Sequence, residues 1–119
     1  MDASQIEEVV NKQFVRCQEL LVQKAAEYAP VDRLHNFRVA AELQGISLEK
    51  ALAGMMAKHT VSLYDLIERD ESPWSDLWAE KIDDHINYLL LLLAILQEKR
   101  DKDNLDVQVI NQNISGGMQ

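Results

Sequence analysis

The residues with the clearest chemical potential lie on one turn near the middle of the chain. Glu80, Asp83, Asp84 and Asn87 fall within seven positions of one another. At about 100° per residue, with Glu80 as the origin, Asp84 lies near about +40°, Asn87 near about −20° and Asp83 near about −60°. Three carboxylates and an amide therefore share a helix face, and that face runs into an apolar segment from Ile86 to Leu96. Solvated, such a cluster is unremarkable, costing a few tenths of a kcal/mol in like-charge repulsion. Enclosed, it needs a counter-charge, either a basic side chain or a divalent cation. Clustered oxygen donors suit Mg²⁺ or Mn²⁺ better than zinc.

A second set precedes it. On the register Leu48, Leu52, Met55, His59, Ser62, Leu66, the polar His59 and Ser62 interrupt an otherwise apolar stripe, flanked by Lys58 and Asp65. Two readings stay open, a hydrogen-bonded core histidine or a binding site. Lys24 likewise follows Cys17, Leu20 and Leu21 and precedes Tyr28. Its stem either packs while the ammonium reaches water, or the cation is aimed at an anionic ligand. Cys17 sits on an apolar stripe with no histidine beside it, a poor setting for a nucleophile. No glycine-rich phosphate loop and no zinc-type Cys/His spacing is present.

Helices must position these groups, since no segment alternates as a strand does. Ser4-Gln5-Ile6-Glu7 has a capping-box pattern and predicts a first helix carrying Ile6, Val10, Phe14 and Cys17, ended by Pro30. Asp32 is expected to cap a short second helix closed by Gly45, and Ser47 a third running through Ile67. After the polar break Arg69-Asp70-Glu71, Ser72-Pro73 predicts a last helix from about Trp74 to about Arg100. The reading is one helical domain over 1–100 and a flexible tail over 101–119. Ile86 to Leu96 is apolar on every side, which predicts a central or interfacial helix and a homo-oligomer.

Composition narrows the function further. Twelve Lys plus Arg against twenty Asp plus Glu give a net charge of −8. That balance opposes nonspecific nucleic-acid binding and docking on an anionic membrane. The apolar run Tyr88–Leu96 is far short of the roughly twenty residues that span a bilayer. One cysteine and a start without a cationic, then apolar, leader are the pattern expected of a cytoplasmic chain.

The stretch Glu80-Lys81-Ile82-Asp83-Asp84-His85-Ile86-Asn87-Tyr88 resembles the final-helix motif of the MazG-like, all-α nucleoside triphosphate pyrophosphohydrolases. In that family a Glu-Glu-x-x-Asp run precedes an apolar helix with a tyrosine four residues after the aspartate. Lys58 to Ile67 stands where the family carries a Glu-Glu-x-x-Glu helix. Lys24 and Tyr28 resemble the Lys-x-x-x-Tyr that ends the first helix in small phage or prophage-type relatives. The resemblance covers roughly residues 15 to 98. It implies a four-to-five-helix bundle, assembled as a dimer or tetramer, in a bacterial or phage-infected host cell. It also implies Mg²⁺-dependent hydrolysis of a (d)NTP or modified nucleotide to the monophosphate and pyrophosphate.

On that resemblance Glu80 and Asp84 are the catalytic carboxylates, and Glu80, Asp83 and Asp84 bind metal with Asp65 or Glu68. Lys24, Tyr28, Lys58, His59, Asn87 and Tyr88 contact the nucleotide, with His35 or Arg38 as further phosphate contacts. Lys81 stands at the second motif glutamate, and Lys58, His59 and Ser62 at the Glu-Glu-x-x-Glu positions. Alternatively, Lys58 and His59 fill the metal's space and hold the phosphates themselves. Binding then survives without hydrolysis, because no metal activates the attacking water. A third reading is a structural helical dimer that binds a host or phage protein, with Lys58 paired to Asp84.

Overall fold

The computed structural model describes residues 1–24 and 32–117, and these are all-helical with no strand among them. The first α-helix, α1, spans Ala3–Gln18 and passes into a π-helical turn, Glu19–Lys24. Helix α2 spans His35–Gln44, α3 spans Leu48–Glu68 and α4 spans Leu77–Gly117. No helix among the described residues is long and apolar enough to cross a membrane.

The caps follow local chemistry, with four corrections to the expected helix ends. Helix α1 begins two residues earlier than Ser4 implies. Asp2 Oδ1 accepts the Gln5 N–H at 2.9 Å, and Gln5 Oε1 accepts the Asp2 N–H at 2.8 Å, a reciprocal box in place of Ser4 with Glu7. Asp32 does not cap α2: Leu34 holds that position without a side-chain cap bond, and Asp32 closes the preceding turn, its Oδ1 accepting the Leu34 N–H at 3.0 Å and its carbonyl the His35 N–H at 3.2 Å. Gly45 ends α2 at φ +63°, where a side chain is strained, and Ile46 N–H returns to the Ala41 carbonyl at 3.0 Å. Ser47 Oγ caps α3 through the Lys50 N–H at 3.2 Å, as expected.

The start of α4 is Leu77 rather than Trp74. Ser72 Oγ accepts the Trp74 N–H and Ser75 Oγ the Leu77 N–H, each at 3.3 Å, so two serines hold a short turn before the helix opens. Nor does α4 stop near Arg100. It continues to Gly117, and every residue from Gln97 to Ser115 is exposed. The expected end of the first helix at Pro30 lies outside the described residues.

Leu34 and Phe37 of α2, Leu52 of α3 and Ile95 of α4 form the core, flanked by Leu48, Met55, Tyr88, Leu91 and Leu92. The Phe37 and Tyr88 rings meet edge to face with centroids 6.0 Å apart. Two ion-pair straps reinforce this three-helix unit. Arg38 of α2 forks onto Glu98 of α4 at 2.8 and 2.6 Å while donating to Asp32 at 2.6 Å. Lys99 of α4 reaches Glu49 of α3 at 2.6 Å. Helix α1 lies along α4 with Cys17 buried against it.

A single chain leaves much apolar surface uncovered. Its accessible area is 9254 Å², whereas a compact protein of 13.6 kDa exposes about 6,600 Å². The radius of gyration is 19.6 Å, against about 13.5 Å for a compact chain of this length. The α1 side chains Val10 and Phe14 and the α4 side chains Leu89, Leu90 and Leu93 all face solvent. The segment expected to be enclosed on every side is thus covered only in part within the chain, by α1 on one flank and by α2 and α3 on another.

Candidate functional site

The face inferred around Glu80 is divided between two neighbours. Asp83 turns toward α1 and is buried, 6% exposed. Its Oδ2 takes the Arg16 Nη2 at 2.5 Å and Nε at 3.1 Å, and its Oδ1 takes Gln13 Nε2 at 3.0 Å. The carboxylate holds the Arg16 guanidinium above its usual range, chiefly by hydrogen bonding and then by charge. Asp84, one residue on and about 100° round the helix, turns to α3. Its Oδ2 lies 3.4 Å from His59 Nδ1. Glu80 is exposed beside Lys81, with 3.7 Å between charges.

The donor set proposed for Mg²⁺ therefore does not converge. Asp83 is committed to a cation and an amide from α1, Asp84 faces an imidazole, and Asp65 lies with Glu68 and Arg69 around a separate open depression. Among the described residues no three His, Cys, Asp or Glu side chains come together as metal ligands would. A hexacoordinate oxygen shell needs such convergence, so these residues do not fit the ion. The counter-charge that an enclosed carboxylate requires is supplied at Asp83 by Arg16. Sequence reasoning missed Arg16 and Gln13; their signal was a basic and an amide residue flanking Cys17 on the stripe of α1.

What the structure does bring together is a cleft of about 470 Å³ between the end of α2, α3 and α4. It is lined by Gln44, Ala51, Gly54, Met55, Lys58, His59 and Tyr88. Three of the residues named from sequence meet here. Lys58 is exposed and makes no ion pair among the described residues, so the pairing with Asp84 is not formed; His59 takes that place. The His59 ring lies over Tyr88, with centroids 4.7 Å apart and planes tilted by 36°. Burial, and then the negative charge of Asp84, push the Tyr88 phenol above its ordinary value, so it stays a neutral hydroxyl.

The small residues shape this cleft. Ala51 and Gly54 stand two turns and one turn before Lys58 on α3, and a Cβ added at Gly54 would meet no atom within 4 Å. The helix thus tolerates a glycine at some cost in propensity and leaves open space at that point. Asn87 Oδ1, one residue from Tyr88, is buried without a hydrogen-bond partner. Arg38 and His35 take no part: Arg38 is bound by Asp32 and Glu98, and His35 is exposed on α2. Tyr28 and the Lys24 side chain lie outside the described residues.

Comparison with known proteins finds no match to a family model, to a characterised sequence or to a solved structure.

Proposed function

We propose that the chain is a MazG-like helical domain that binds a nucleotide or related phosphate ester in the cleft between α2, α3 and α4, without a metal-dependent hydrolytic step. One observation carries this reading: Lys58, the Gln44 amide and the His59–Tyr88 pair converge on a cleft of about 470 Å³ floored by Ala51 and Gly54. The volume lies in the range of small-molecule sites, roughly 300–1,000 Å³. The Lys58 ammonium suits a phosphate as a point charge, and the Tyr88 ring offers an aromatic surface to a base. Hydrolysis to monophosphate and pyrophosphate is the weaker reading, because Glu80, Asp83, Asp84 and Asp65 face four different surroundings. The same reading includes assembly as a homo-oligomer, dimer or tetramer, supported by the uncovered apolar surface.

Thermal unfolding with ATP, GTP, dCTP, dTTP and inorganic pyrophosphate, each with Mg²⁺ and again with EDTA, tests the proposal. A ligand at a hundred times its Kd stabilises by about 2.7 kcal/mol, and that shift is expected to persist in EDTA without pyrophosphate release. Gly54→Leu plugs the cleft while improving helix propensity by up to about 1 kcal/mol. It should therefore remove the ligand shift from a chain that folds at least as well. A shift that survives Gly54→Leu and Lys58→Met refutes the site. Pyrophosphate release that Asp84→Asn abolishes restores the hydrolase reading.

A further inference from the structure

From Leu89 onward, α4 carries a pattern that no site above uses. Leu89, Leu93, Leu96, Val107, Ile110 and Ile114 recur in alternating steps of four and three residues, once Arg100 and Asp103 are counted at the intervening positions. At about 100° per residue these positions stay within a band about 100° wide. Leu89, Leu93, Val107, Ile110 and Ile114 are 47–59% exposed. Arg100 and Asp103 are exposed as well, and neither has an ion-pair partner among the described residues.

We infer that this stripe is the seam of an antiparallel pairing with α4 of a second copy of the chain, its two-fold axis passing between Asp101 and Lys102. In that register Leu89 meets the partner's Ile114, Leu93 the partner's Ile110 and Leu96 the partner's Val107. Arg100 meets the partner's Asp103, and by symmetry Asp103 meets the partner's Arg100. The two interruptions of the apolar stripe are thus complementary to each other across the axis, as an isologous interface requires. A parallel pairing in register sets Arg100 on Arg100 and Asp103 on Asp103, placing like charges in the seam, where they are costly. Polar residues at seam positions fix register and orientation at some expense in stability.

Three further observations identify the occupant as a second copy. Beyond the Arg38–Glu98 and Glu49–Lys99 straps, residues 100–115 are all exposed, with no ion pair to another helix among the described residues, and the seam lays that part of α4 along the partner's Leu89–Leu96. A groove of about 230 Å³ between α1 and α4 is lined by Val10, Gln13, Phe14, Cys17, Ile86 and Leu90, and Ile86 and Leu90 stand one turn before Leu89 and Leu93 on α4. The excess area over a compact monomer, roughly 2,650 Å² per chain or about 5,300 Å² for two, is ample for the roughly 2,000–5,000 Å² in total that permanent dimers bury.

This inference rests on the oligomer part of the functional reading and is independent of the nucleotide cleft. Sedimentation velocity of the full chain over a concentration series tests it. The wild type is expected to be dimeric. Arg100→Asp alone and Asp103→Arg alone each set like charges twice across the seam, and each should weaken the dimer at least about tenfold, or about 1.4 kcal/mol. Combining them restores complementarity and should return Kd to near the wild-type value. Helicity by circular dichroism should stay unchanged in all three, since both side chains are exposed. A chain monomeric throughout the series overturns both the seam and the oligomer reading. A dimer indifferent to the single reversals, or one the double variant fails to restore, overturns the seam alone.

Discussion

Removing Arg16 should cost more than removing Asp83, although the two form one ion pair. The Asp83 side chain is 8% exposed and the Arg16 side chain 46%. Arg16→Met leaves a carboxylate inside the α1–α4 contact with only the Gln13 amide to hold it. Stranding a fully buried charge costs about 3–5 kcal/mol. Here the vacated position is half open to water, which screens the charge left behind, and the expected loss is about 2 kcal/mol. Asp83→Asn leaves a half-exposed guanidinium that hydrates readily and an amide that still accepts from Gln13, for a loss of about 1 kcal/mol. Arg16→Met with Asp83→Leu removes both charges and should recover part of the single-variant loss, because an apolar pair of similar volume carries no desolvation penalty. Urea unfolding followed at 222 nm reads these differences, with protein concentration fixed because self-association couples to stability. Near the melting temperature the loss of about 2 kcal/mol corresponds to about 8 °C for a chain of this length. An Arg16→Met variant no less stable than Asp83→Asn, or a double variant worse than Arg16→Met, would refute the assignment of Arg16 as the counter-charge of a buried carboxylate.

Two further outcomes follow from the straps and the turns. Arg38 lowers the ionisation ranges of Asp32 and Glu98, chiefly by hydrogen bonding, so both carboxylates release their protons more readily when folded. Their contribution is complete above the unfolded values and is lost as pH falls through the lower folded ones. The stability gap between wild type and Arg38→Met should therefore be full above about pH 5 and close on further acidification; a gap independent of pH refutes the strap. Gly45→Ala meets no steric obstacle but must hold φ at +63°, so it should destabilise by about 1 kcal/mol in chemical denaturation. No loss there means that the α2–α3 turn has relaxed to another conformation.

Most of the fold was legible because helices announce themselves locally. Ser47 and Gly45 act within one turn of their own position, and the period of Leu48, Leu52, Met55 and Leu66 marks the buried face of α3 whatever packs on it. Boundaries failed where two local solutions compete. Asp2 with Gln5 and Ser4 with Glu7 both write a capping box, and Ser72 and Ser75 both offer a cap before α4. The extension of α4 past Arg100 was missed for a related reason. A polar composition with Asp, Asn and Gln reads as tail, although Val107, Ile110 and Ile114 keep a helical period.

The sequence by itself determined that the chain is helical, that His59 interrupts an apolar stripe beside Lys58, and that Glu80, Asp83 and Asp84 crowd one turn. Helical periodicity and one-turn spacing are properties of the chain alone, so they needed no partner to be read. Tertiary structure alone decided what each carboxylate faces. Adjacent residues on a helix point about 100° apart, so Asp83 and Asp84 address different neighbours once α1 and α3 pack on opposite flanks of α4. Arg16 from far upstream then meets Asp83, His59 meets Asp84, and a cluster that looked like one metal site becomes two separate polar contacts.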